Sequence, residues 1–106
     1  MPELPTLDTI KEISSGDKKF EKRLVSIIKR ELPLEIEQYN KDFEADSLKK
    51  VADIVHKLNH KINIFGLGEG SRKAVDFENE LRSGSSEMKN EFDAILETMS
   101  RFLNTL

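Results

Sequence analysis

His56 and His60 are the only imidazoles in the chain and stand four residues apart in the run Val55-His56-Lys57-Leu58-Asn59-His60-Lys61-Ile62. Two kinds of chemistry suit them. An imidazole with an ordinary pKa of about 6.5 is substantially neutral near pH 7 and has a ring nitrogen free for nucleophilic attack. Histidines at i and i+4 also share a helix face and can chelate a divalent metal. Here Lys57 stands where the H-E-x-x-H motif needs its glutamate and no third ligand is evident, so no metal site is expected. Gly66-Leu67-Gly68-Glu69-Gly70 has the glycines of a phosphate loop, but it follows a helical pattern and lacks a lysine-serine/threonine pair, which makes it a turn between helices. Glu78 and Glu80 fall on different helix faces, giving no support to a glycosidase-like acid and base pair.

The elements that must carry these residues are helical. Five glycines and three prolines punctuate 106 residues, and the segments between them repeat apolar residues every three or four positions. A short helix is expected after Pro5, with Thr6 or Asp8 at its cap, Leu7, Ile10 and Ile13 inward, and a stop at Ser14-Ser15-Gly16. Asp17 can cap a second helix with Phe20, Leu24, Ile27, Ile28, Ile36, Tyr39 and Phe43 on one face and a kink at Pro33. The third helix is predicted from Asp46-Ser47 to about Phe65, with Leu48, Val51, Val55, Leu58 and Ile62 as its stripe and Gly66 as its terminator. A fourth, from about Glu69 to Arg82, points Ala74, Phe77 and Leu81 inward. Ser83-Gly84-Ser85-Ser86 turns the chain and can cap a last helix bearing Met88, Phe92, Ile95, Met99, Phe102 and Leu106.

These ingredients predict an all-α protein, an antiparallel up-down-up-down four-helix bundle with a short extra N-terminal helix, as one domain over residues 1–106 with a loose tail at 1–5. On the third helix the apolar stripe centres roughly 120° from His56. His56 is therefore expected at mid-helix on a face shared with Lys49, Ala52, Asp53, Asn59, His60 and Asn63, beside a basic edge of Lys50, Lys57 and Lys61. A histidine in that position is equally the mark of a merely solvated face.

Composition narrows the function classes. The absence of cysteine excludes disulfides, thiolate metal sites and cysteine nucleophiles. A net charge of −3, with 35% charged residues, no tryptophan and one tyrosine, argues against a nucleic-acid partner. No apolar run reaches the roughly 20 residues of a membrane span, so no membrane partner is expected and the location is expected to be cytoplasmic.

The residues resemble the histidine-containing phosphotransfer (HPt) domains, whose phosphoaccepting histidine lies on a bundle helix in a pattern close to H-x-L-K-G, with a glycine ten residues on and a later glutamate. His56, Leu58, Gly66 and Glu78 fall in that register, Ala74 and Leu81 suit the following helix, and Ile13-Ser14-Ser15-Gly16-Asp17 and Glu31-Leu32-Pro33 resemble the family's first turn and proline-bearing helix. The chain departs from the pattern at Asn59, where the family has lysine, and at His60, where it has glycine.

The resemblance implies that His56 accepts a phosphoryl group from a receiver-domain phospho-aspartate and returns it to another receiver, with a sensor or hybrid histidine kinase upstream. The chain would be a phosphoryl carrier without kinase or hydrolase activity of its own, needing no cofactor because the receiver brings its magnesium. Asn59 with Lys57 or Lys61 is expected to hold the phosphoryl oxygens, while His60, Ala52 and Leu67 belong to the docking surface. A monomer is expected, since the bundle uses all its apolar stripes. The alternative is a non-catalytic helical module that binds a receiver or a partner helix without being phosphorylated.

Overall fold

The Asp17 carboxylate accepts hydrogen bonds from the backbone N–H groups of Lys19 and Phe20, at 3.0 and 3.1 Å, satisfying donors that have no partner inside a helix. From that cap α2 runs unbroken from Lys18 to Glu44 in the computed structural model, which describes residues 3–106. Removing the cap in Asp17→Ala should cost about 1 kcal/mol and lower the melting temperature by about 4–8 °C in a calorimetric scan. Pro33 sits inside α2 on its exposed side, where water can meet the carbonyl that proline leaves without a donor. The other helices are α1 (Asp8–Ser14), α3 (Leu48–Ile64), α4 (Gly68–Arg82) and α5 (Lys89–Asn104), and the described residues contain no strand.

The turn from α3 to α4 fixes the two helices that carry the site. Gly66 takes φ +75°, its N–H reaches Asn63 O at 2.9 Å, and the Leu67 N–H reaches Ile62 O at 3.2 Å. This paired closure of a helix end needs the left-handed backbone that glycine adopts without strain. Gly70 serves a different need: a Cβ there would come within 3.3 Å of Ile62 Cγ2, so the small residue lets α4 start close against α3. Glu3, expected in a loose tail, instead straps the same corner. Its Oε1 and Oε2 accept from the backbone N–H groups of Gly70 and Glu69 at 2.8 and 2.9 Å, and Thr6 N–H reaches Phe65 O at 2.9 Å. Leu4 of that expected tail is 74% exposed, and Met1 and Pro2 lie outside the described residues.

α3 packs against both α2 and α4, α5 against α4 and α2, and α1 against α2. Tyr39, Leu58, Ile62, Phe65, Phe77, Phe92 and Met99 fill the space between them, each 0–1% exposed. At roughly 1.5–3 kcal/mol for each large apolar side chain, this burial is the main force holding the helices together. Three residues expected inward are not: Ile13, Phe20 and Leu106 are 51, 43 and 37% exposed, each near a helix end with nothing packed over it. Leu32, Ile54, Leu96 and Leu103, outside the expected stripes, are buried because their helices are covered from two sides. The last helix starts without a serine cap: Met88 precedes it, and the Met88 N–H donates to Glu80 Oε1 at 2.9 Å. No helix among the described residues is long and apolar enough to cross a membrane.

Candidate functional site

The inward residues of α4 position the site. Phe77 and Leu81 are buried to 0 and 1%, which turns their sequence neighbours Glu78 and Arg82 onto the flank facing α3. On α3, Val55 and Leu58 are fully buried and His56 emerges between them on the α4 side, its side chain 62% exposed. His56 Nδ1 lies 3.0 Å from Glu78 Oε1. The other carboxylate oxygen, Oε2, accepts from Arg82 Nη2 at 2.9 Å and Nε at 3.2 Å, and the same Nη2 reaches Asp53 Oδ1 at 3.0 Å. A continuous chain of polar contacts thus runs from Asp53 through Arg82 and Glu78 to His56.

Electrostatics sets the proton positions. Partial burial by itself would raise the Glu78 pKa, but hydrogen bonds from Arg82 and His56, aided by their charge, outweigh it and leave the carboxyl below its ordinary range. Glu78 is therefore ionised near neutral pH and can only accept, so Nδ1 of His56 carries a proton whether the ring is charged or neutral, and in the neutral ring Nε2 holds the lone pair. Nε2 has no hydrogen-bond partner among the described residues. Because the folded state lowers the Glu78 pKa, the resulting stability is present above the unfolded glutamate value of about 4.3 and is lost as pH falls through the lower folded value.

Glu78→Ala should move the His56 tautomer population toward Nε2–H in an imidazole ¹⁵N NMR spectrum. If attack from Nε2 is the chemistry, it should also slow phosphoryl acceptance at least about tenfold, since one hydrogen bond to a charged group is worth about 1.5–3 kcal/mol. A ¹⁵N spectrum unchanged by the substitution would separate Glu78 from the reactive ring.

His60 is exposed, its ring edge-on to His56 with centroids 5.2 Å apart and planes at 75°. Its other side faces a groove between α2 and α3 that it lines with Lys57, Leu34, Glu35 and Gln38. Lys57 is exposed and makes no ion pair among the described residues, while Lys61 is committed to α2, its Nζ bonded to both Glu35 oxygens with Oε2 at 3.1 Å. Asn59 is half-buried, with Oδ1 enclosed and without a partner.

Two placements correct the expected exposed face. Ala52 is 0% exposed and Leu67 3%, so neither side chain presents surface. Both are drawn in by the close seating of α4, Ala52 because a small residue beside the stripe lets the helices approach, and Leu67 because it plugs the turn after Gly66. Arg82 and its bridge to Asp53 were not singled out at all. The signal for half of it is present, since Glu78 and Arg82 have the i,i+4 spacing of a helix ion pair. The described residues hold no group of three or more His, Cys, Asp or Glu side chains placed to bind a metal ion. Comparison of the chain with protein-family models, curated proteins and solved structures gives no match in any of the three.

Proposed function

We propose that this chain is a phosphoryl carrier of the HPt kind, an up-down-up-down bundle of α2 to α5 that accepts a phosphoryl group on His56 from a receiver-domain aspartate and hands it to another receiver. One observation carries the reading: an exposed mid-helix imidazole whose Nδ1 is held by an ionised glutamate, leaving Nε2 as the accessible nucleophile.

The chemistry asks for little else. The Nε2 lone pair attacks phosphorus in line as the bond to the aspartyl oxygen breaks, and the aspartate leaves as a carboxylate. No base is needed, because the attacking nitrogen carries no proton. The Nδ1 proton stays on the ring, which becomes cationic as the N–P bond forms, and Glu78 lies 3.0 Å away to balance that charge. Arg82, gripping the far oxygen of Glu78, holds the carboxylate in place. Of the two expected lysines, Lys57 is the one without an ion pair among the described residues, Lys61 being bound to Glu35, and the Asn59 amide nitrogen is the donor that could meet a phosphoryl oxygen. Magnesium chemistry belongs to the receiver, a histidine kinase stands upstream, and the carrier works as a cytoplasmic monomer.

The alternative, an interaction module that is never phosphorylated, draws on His60, whose ring edge crowds the His56 ring at 5.2 Å between centroids. Incubation with a radiolabelled phospho-receiver separates the two. The carrier acquires an acid-labile, base-stable label, whereas a chain that binds the receiver and stays unlabelled is the module.

A further inference from the structure

The first half of α2 carries a charge pattern that the overall balance conceals. Lys18, Lys19, Lys22, Arg23, Lys29 and Arg30 are all exposed. At 100° per residue they share a sector of about 140°, with Ser26 as the only other residue in it, while Glu21 and Glu31 fall outside. None of the six forms an ion pair among the described residues, although acidic residues outnumber basic ones in the chain by 20 to 17. Lys29 reaches only the main-chain oxygen of Leu106, at 2.9 Å. Cations are thus gathered on a straight strip about 18 Å long, at 1.5 Å per residue, with no ion pair among the described residues, although Glu21 lines one groove with Lys18, Lys22 and Lys29.

Two further observations narrow the partner. Phe20 borders the strip beside Arg23, and Ile13 stands at the adjoining end of α1, 43 and 51% exposed. The strip also lies away from His56. Glu31 and Glu35 meet Lys61, and Gln38 and Asp42 lie beside Asp53 and Lys57, so residues 18–30 of α2 extend beyond the Lys61 end of the site.

We infer that this face docks on an anionic phospholipid surface, with the lysines and arginines on the headgroups and Phe20 and Ile13 entering the interfacial layer. Cationic clusters on amphipathic helices bind such surfaces, each cation adding about fivefold in affinity at low salt. A lipid surface uses both halves of the pattern. A nucleic acid would use the cations and could stack a base on Phe20 alone, whereas a lipid interface takes Phe20 and the aliphatic Ile13 together. That no helix among the described residues spans a membrane is compatible with such surface attachment, and the net charge of −3 that argues against a nucleic-acid partner is an average over a molecule whose charges are segregated.

The test is vesicle co-sedimentation of the full chain with phosphatidylcholine alone and with a one-to-two mixture of phosphatidylserine and phosphatidylcholine. Binding is expected only to the mixed vesicles and is expected to fade as salt rises from about 0.05 to 0.5 M. The triple variant Lys19→Glu, Arg23→Glu, Arg30→Glu should lose at least about tenfold, and a control with the same net charge, Lys50→Glu, Arg72→Glu, Arg101→Glu, should stay within about threefold of the parent. Circular dichroism checks that both fold, with Gln replacing Glu in a variant that does not. The pair Ile13→Ser, Phe20→Ser should weaken vesicle binding further, and His56→Gln should leave it unchanged, so that failure here is distinguishable from failure of the phosphoryl-carrier reading. Equal binding to both vesicle types, or equal loss in the two charge variants, overturns the inference. Indifference to the Ile13 and Phe20 pair overturns it in favour of a nucleic acid or acidic protein.

Discussion

A His56→Gln chain mixed with a phosphorylated receiver domain is expected to remain at background label, while His60→Gln loses at most part of the wild-type level. The two rings are neighbours, 5.2 Å apart, yet only His56 has Nδ1 fixed by a carboxylate. Glutamine retains the size and polarity of the imidazole and lacks a nucleophilic nitrogen, so the loss would be one of chemistry and not of fold. His56 is exposed and packs nothing that the core needs, and its variant should melt within about 0.5 kcal/mol of the parent stability. Normal acid-labile label in His56→Gln would remove the assignment.

The largest effect on stability is expected at Phe77. It is fully buried on α4, with its ring centroid 5.2 Å from Phe92 and 6.3 Å from Phe43, so it ties α4 to both α5 and α2. Phe77→Ala removes this contact and leaves a cavity that three helices would have to move to fill. A loss of about 3–5 kcal/mol is expected, against a total of roughly 5–15 kcal/mol for a domain of this size. At about 4–8 °C per kcal/mol, the melting temperature should fall by at least about 12 °C. The same change should loosen the site, because burial of Phe77 is what turns Glu78 toward His56. Phe77→Leu, which keeps most of the volume, should recover much of both. A melting temperature unchanged in Phe77→Ala would contradict the packing described.

The extent to which the sequence foretold this arrangement differs from element to element. Asp17, Gly66 and the inward residues Ala74, Phe77 and Leu81 act as local rules predict, because a cap, a left-handed turn and a single apolar stripe are properties of a few adjacent residues. Periodicity gives the centre of a buried face but not its width. α3 is covered by α2 on one side and α4 on the other, so Ile54 and Ala52 are buried beyond the two edges of the predicted stripe. The pairing of Lys61 with Glu35 and the bridge from Arg82 to Asp53 depend on how the helices are rotated against one another, which no single segment encodes. Glu3, 67 residues from Gly70, finds its backbone partners only once the α3–α4 corner exists. At the site, the spacing of His56 and Glu78 was legible as register, whereas the orientation of Asn59, with its enclosed Oδ1, was not.

The central claim is that Nε2 of His56 is the atom that receives the phosphoryl group. Imidazole-selective ¹H–¹⁵N NMR of the labelled chain, recorded before and after transfer from a phosphorylated receiver, reads that atom directly. The His56 Nε2 resonance is expected to move to the phosphorylated position while Nδ1 stays protonated and bonded to Glu78, with both nitrogens of His60 unphosphorylated. Phosphorylation at Nδ1 of His56 or at His60, or no change in either ring, would contradict it.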